Sequence, residues 1–132
     1  MGLKALFEPR AVAIIGASSN PARIGGRPIA YYLAAGFKGA IYPVNPNRDE
    51  IQGLKAYPDM ASIPTQVDLA ILAISSTGVA DAVRACGEKG VKSIVLFSAG
   101  FSEIGEQGDD LQAEVDKVAK EYGIRILGPN CL

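Results

Sequence analysis

The apolar positions of this chain fall into short, nearly continuous runs rather than alternating ones. Ala11 to Ala17, Ala40 to Val44, Asp68 to Ile74, Ser93 to Ser98 and Ile124 to Gly128 each read as a strand covered on both faces, as a parallel sheet between two helix layers requires. Between most of them the spacing becomes helical. Ile29, Leu33 and Phe37 recur at intervals of four, Val79, Val83 and Cys86 at four and three, and Leu111, Val115, Val118, Ala119 and Tyr122 extend one stripe through three turns. Each stripe can cover a sheet face. Gly108 to Asp110 offers the last helix a start, because an aspartate there can accept from free first-turn amides.

Gly36-Phe37-Lys38, Gly90-Val91-Lys92 and Gly123-Ile124-Arg125 repeat one exit chemistry: a glycine able to take the left-handed cap, an apolar residue, then a base. This is shared loop physics rather than internal duplication. The connection from Asn45 to Gln66 differs, since Pro46, Gly53, Pro58 and Pro64 interrupt it and leave room only for short helical turns. The alternation predicts an α/β fold: a Rossmann-like, doubly wound, parallel five-stranded sheet of order 3-2-1-4-5, in a single domain over 1–132.

Composition narrows the function classes. With 48% hydrophobic residues in 132, the chain has material for a real core and does not read as disordered. Thirteen basic and 14 acidic residues nearly cancel, which leaves no broad positive face for nucleic acid. The longest apolar stretches, such as Val67 to Ile74, match one strand and fall far short of the roughly 20 residues that span a bilayer. Met1 to Arg10 lacks the apolar core and cleavage site of a secretory signal, so the expected location is cytoplasmic, with no membrane partner. Two cysteines without a CxxC pair and the absence of histidine argue against a metal site and remove the commonest general base. No catalytic residue is expected in this chain.

In a doubly wound sheet ligands bind beyond the carboxyl ends of the strands, so the segment after the first strand carries most weight. It reads Gly16-Ala17-Ser18-Ser19-Asn20-Pro21-Ala22-Arg23-Ile24-Gly25-Gly26-Arg27-Pro28. Glycine and short hydroxyl side chains let amides approach an anion, and the following helix adds the positive end of its dipole. The plainer reading is a tight turn that only joins strand to helix. Arg23 and Arg27 beside it are either phosphate ligands or solvated surface charges.

The dinucleotide fingerprint is met only in part. Ser18 stands at the second glycine position, extra residues precede Gly25 and Gly26, and the second strand ends in Val44-Asn45-Pro46-Asn47-Arg48 where an acidic ribose ligand would stand. Arg48 would instead suit a ribose phosphate, as in NADP or coenzyme A.

Five stretches resemble one family in order along the chain: Leu6 to Ser18 (LFEPRAVAIIGAS), Tyr42 to Asn47 (YPVNPN), Gly53 to Pro58 (GLKAYP), Phe97 to Glu103 (FSAGFSE) and Gly128 to Cys131 (GPNC). They are similar to the amino-terminal CoA-binding domain of NDP-forming acyl-CoA synthetases, with succinyl-CoA synthetase α subunits as more distant relatives. The resemblance implies that the cofactor is coenzyme A and that Gly16, Ala17, Ser18 and Ser19 cradle its diphosphate; Arg23, Gly25 and Asn45 are further candidate binding residues. It further implies that Pro46 and Arg48 flank the adenosine phosphate, that Ala73, Ile74 and Ser75 border the adenine, and that Ser98, Ala99, Gly100 and Phe101 line the pantetheine route. Relatives often carry proline at the place of Ser75, and Cys131 reads as packing rather than a nucleophile.

In the family a histidine of a later domain carries the phosphoryl group, and this chain has none. The expectation is therefore one part of a longer synthetase, partnered by downstream ligase and ATP-grasp domains or subunits, that binds CoA or acyl-CoA without catalysing. Two alternatives stay open: the CoA-binding region of a protein acetyltransferase, and an NAD(P)-binding regulatory module.

Overall fold

The computed structural model describes residues 10–74, 78–96 and 106–127, and for 106–112 the backbone only. Five parallel strands frame it: β1 (Ala11–Ile15), β2 (Ala40–Val44), and, after a short hairpin of β3 (Glu50–Ile51) and β4 (Leu54–Lys55), β5 (Leu69–Leu72), β6 (Ser93–Leu96) and β7 (Arg125–Leu127). Their order is β2-β1-β5-β6-β7. β1 pairs on one side with β2, Ala11 opposite Ala40, and on the other with β5, Val12 opposite Leu69.

The Rossmann-like class and the parallel five-stranded sheet are as the sequence predicts. The expected order 3-2-1-4-5 is also recovered, but a different segment takes third place. Tyr57 forms a single parallel bridge to Val44 on the outer side of β2; its amide donates to Pro43 O and its carbonyl accepts from Asn45 N, both at 2.9 Å. Counting that bridge as strand three gives 3-2-1-4-5-6, and the strand at Leu69, taken from the sequence as third, is the fourth. A one-residue bridge has no apolar run to announce it.

Three helices cover the sheet: α1 (Arg27–Ala34), α2 (Val79–Lys89) and α3 (Glu106–Tyr122). Alternate residues of β1 serve the two faces. Val12 and Ile14 pack with Ile29 of α1 and with Ile51 and Ala56, whereas Ala13 joins the larger cluster of Val79, Val83 and Cys86 from α2 and Val115, Val118 and Ala119 from α3. Burying each large aliphatic side chain fully contributes about 1.5–3 kcal/mol, so these two layers, not the two-residue hairpin strands, hold the fold. The helices of the larger layer meet closely at Gly87, where a Cβ would lie 2.3 Å from the Tyr122 ring.

The stripes of α2 and α3 are buried as predicted, Tyr122 partly and Leu111 outside the described side chains. That of α1 holds in part: Ile29 is buried and Phe37 packs against the same layer, but the helix ends at Ala34, Leu33 is exposed, and Tyr32 packs on Phe37 instead, ring centroids 4.7 Å apart. Gly36, with positive φ, stops the helix one turn before the pattern does. α3 already includes Glu106 and Gln107, so it does not wait for Gly108 to start.

At the amino-terminal edge of the sheet, Asp68 Oδ2 accepts from the amides of Arg10 at 2.8 Å and Ala11 at 3.2 Å. Lys89 at the end of α2 donates to the Ile63 carbonyl at the same edge. Among the described residues no helix is long and apolar enough to cross a membrane.

Candidate functional site

The chain leaves β1 at Gly16 and enters α1 at Arg27, and the intervening loop lies where it passes to opposite sides of β1, the place at which such sheets hold ligands. Gly16 takes φ +84°, and a Cβ there would stand 2.3 Å from the carbonyl oxygen of Ala73. Only glycine turns the backbone this way so close to the exit of β5. Gly25 comes equally close to the loop's own start, since its Cβ would fall 2.0 Å from Gly16 O.

Internal hydrogen bonds shape the rest. Ser18 N donates to Gly25 O at 3.1 Å and closes the loop on itself. Ser18 Oγ accepts from Asn20 N at 3.1 Å, Asn20 Oδ1 accepts from Ala22 N at 2.9 Å, and Arg27 Nε donates to Ala22 O at 3.2 Å. From the end of β2, Asn45 Nδ2 donates to Ala17 O at 3.0 Å while its Oδ1 accepts from Asn47 N at 2.8 Å. Gln52, in the β3–β4 turn, donates to Ser18 O and Gly26 O, each at 3.0 Å.

Not every amide is satisfied. Those of Gly16 and Ala17 both reach Val44 O, at 3.2 and 3.3 Å, and that of Ser18 is used as above. The amides of Ser19, Ile24 and Gly25 have no acceptor among the described residues, although Gly25 is buried. A buried peptide N–H without a partner costs free energy comparable to a lost hydrogen bond, so the Gly25 amide marks a place where something else accepts, and the exposed Ser19 and Ile24 amides stand beside it.

These residues line a cavity of about 600 Å³ formed by Gly16, Ala17, Ser18, Ser19, Ala22, Arg23, Ile24, Gly25, Asn45, Arg48 and Ala73. The guanidinium groups of Arg23 and Arg48 face no carboxylate partner: the ion pair among the described residues is Arg84 with Asp81, elsewhere. With two cations and no acid in its lining, the cavity favours an anion. Among the described residues its lining carries backbone donors, small side chains and two guanidinium groups, which can hold and orient a ligand. The buried thiol of Cys86 lies in the core, its pKa pushed up to about 12 by burial, which makes it inert.

Of the residues singled out from the sequence, Gly16, Ala17, Ser18, Ser19, Arg23, Gly25, Asn45, Arg48 and Ala73 come together in this lining. Pro46 sits in the exposed turn beside it, and Ile74 packs its Cγ2 near Gly16 without lining the space. Ser75, Ser98, Ala99, Gly100 and Phe101 lie outside the described residues, as do Leu6 to Pro9 and Gly128 to Cys131. Sequence reasoning missed Ala22, Ile24 and Gln52. For the last the local sequence offers only Gly53, a glycine suited to a tight turn, and nothing that points to the anion loop.

A parallel sheet with a glycine loop of unmatched amides at the carboxyl end of its first strand defines a Rossmann-like nucleotide-binding domain. The chain belongs to the CoA-binding domain family, whose model, described as CoA binding domain, matches residues 10–132. It is 45% identical over 128 residues to the ADP-forming acetate-CoA ligase II of Archaeoglobus fulgidus, covering 97% of this chain and 19% of that protein. It is 43% identical over 130 residues to the α subunit of the ADP-forming acetate-CoA ligase II of Pyrococcus furiosus, covering 96% of this chain and 27% of that subunit. Among solved structures, the dinucleotide forming acetyl-coenzyme A synthetase 1 of Ca. Korarchaeum cryptofilum, in complex with phosphate and ADP, superposes with a TM-score of 0.90 at 42% identity, over 98% of this chain and 28% of that one. The chain thus spans well under a third of the length of these relatives.

Proposed function

We propose that this chain holds coenzyme A for an ADP-forming acid–thiol ligase, which interconverts an acid, CoA and ATP with an acyl-CoA, ADP and phosphate. The observation that carries the reading is the set of unmatched amides at Ser19, Ile24 and Gly25 in a cavity whose charges, among the described residues, are Arg23 and Arg48. That donor set fits a diphosphate flanked by a further phosphate, which coenzyme A carries. Coenzyme A supplies the thiol that takes the acyl group.

In this reading the three amides hold the diphosphate and Arg23 adds charge beside them. Arg48, with Pro46 next to it, meets the ribose phosphate. Ala73, Ile74 and Ser75 border the adenine, and Ser98 to Phe101 line the way to the thiol. The contribution is positional: a thiol held in place reacts at a high effective concentration. Phosphoryl transfer falls to downstream ligase and ATP-grasp domains or subunits, in the cytoplasm.

Isothermal titration of the chain with CoA, dephospho-CoA and NADPH tests it. CoA should bind most tightly, because it alone combines the ribose phosphate with the pantetheine arm. Indifference to CoA at millimolar concentration would remove the reading, and preference for NADPH would replace it with an NADP-binding module.

A further inference from the structure

Gln52 stands outside the cavity lining, yet it touches both ends of the anion loop. It is the one non-glycine among the described residues with positive φ, 50°, and Gly53 follows at 82°. Both central residues of the β3–β4 hairpin therefore lie in the left-handed region, as a two-residue type I′ turn demands. Asparagine, aspartate or glycine suits the first position, because other side chains are crowded at positive φ. Glutamine is the less favourable choice, and its reach is what this fold uses. Backbone kept in a sparsely populated region points to a function at that residue.

A side-chain amide carries two hydrogens, and in Gln52 one goes to the Ser18 carbonyl and one to the Gly26 carbonyl, each at 3.0 Å. The Gly26 carbonyl also accepts from Ala30 N at 3.0 Å in the first turn of α1, so this contact ties the hairpin to the helix start. The Ser18 contact acts on a peptide plane. In a trans peptide the C=O and the N–H of the next residue point in opposite directions. Drawing the Ser18 carbonyl toward Gln52 therefore turns the Ser19 N–H away from it, and Ser19 lines the cavity with its amide unmatched. With that plane reversed, an anion would meet a carbonyl oxygen instead of a donor.

We infer that Gln52 is a positioning residue for anion binding, which sets the Ser18–Ser19 peptide plane so that the Ser19 amide is presented to the ligand. The inference rests on the reading of the cavity as the coenzyme diphosphate site. It adds to that reading a residue that touches no part of the ligand and acts through the backbone.

The test compares the wild-type chain with Gln52→Met, which keeps the length and removes the donors, and Gln52→Glu, which sets a carboxylate against two carbonyl oxygens. Gln66→Glu serves as the control: it makes the same charge change at an exposed site before β5, at the far edge of the sheet. In calorimetric titration with CoA, Gln52→Met should bind roughly tenfold more weakly and Gln52→Glu weaker still, with Gln66→Glu equal to wild type. In unliganded protein the backbone ¹H–¹⁵N resonance of Ser19 should move in Gln52→Met while those of Val12 to Ile14 stay in place, which a general loss of stability would not produce.

Wild-type affinity together with an unmoved Ser19 resonance in Gln52→Met would overturn the inference and leave the coenzyme reading intact. Wild-type chain that ignores CoA would sink the coenzyme reading, and the Ser19 resonance in ligand-free protein would still decide the orientation. Should Gln52→Met not fold, exchange of the Gln52 side-chain amide in wild type decides instead: it should slow when CoA binds, and unchanged exchange would overturn the role.

Discussion

The two ends of β1 present backbone amides to opposite surroundings. At the start of the strand, Asp68 Oδ2 takes the amides of Arg10 and Ala11 at 2.8 and 3.2 Å, so the protein carries its own carboxylate for them. Past the other end, the amides of Ser19, Ile24 and Gly25 have no acceptor among the described residues, and the nearby charges are the cations Arg23 and Arg48. Both ends have the same chemistry of donors. One is closed by an internal carboxylate and adds to stability; the other is left open, with no acceptor among the described residues.

The strongest way to break this contrast is to give the open end what the closed end has. Ser18→Asp places a carboxylate in the cavity lining, where like-charge repulsion should weaken CoA binding about a hundredfold in calorimetry. The melting temperature should hold or rise, because the new carboxylate can take amides now unmatched. Undiminished affinity would place the ligand elsewhere.

The converse change opens the closed end. Asp68→Ala removes the acceptor of two amides and should cost about 1–2 kcal/mol in urea unfolding, with CoA affinity of the folded chain unchanged. A fall in affinity would show that the two ends are coupled. Next in size, Arg48→Ala should weaken CoA roughly tenfold and dephospho-CoA much less, since the missing phosphate is the one it is assigned. Equal losses for both ligands would refute that assignment. The smallest effect expected is from salt: raising it from about 0.05 to about 0.5 M should weaken CoA binding a few-fold by screening Arg23 and Arg48, which are exposed, while the amide contacts persist. Affinity independent of salt would mean that the two arginines contribute little.

What could be read from the sequence follows from how local each signal is. β1, β2 and the buried faces of α2 and α3 were legible because continuous runs and helical stripes record burial directly. The loop from Gly16 stands out as a candidate anion site because glycine, serine and a following helix are neighbours in the chain. Its donors do not. The amides of Gly16, Ala17 and Ser18, which the resemblance put in the cradle, are bonded to Val44 O and Gly25 O, partners set by sheet register and loop closure. Asn45 likewise spends its side chain on bracing Ala17 and Asn47. The segment from Asn45 to Gln66 looked irregular, yet it supplies the bridge at Tyr57 and the hairpin that carries Gln52 to the loop. Those contacts join residues more than thirty positions apart in the case of Gln52 and Ser18, and no local pattern encodes them.

Gly16 has a mechanical consequence. With its α-carbon packed so near the Ala73 carbonyl that a methyl group would stand 2.3 Å away, the loop has no slack against the end of β5. A ligand held by this loop is mounted directly on the paired interior strands β1 and β5. A long, pliant molecule clamped there by its phosphate end would therefore have one fixed origin from which its far, reactive tip is measured out.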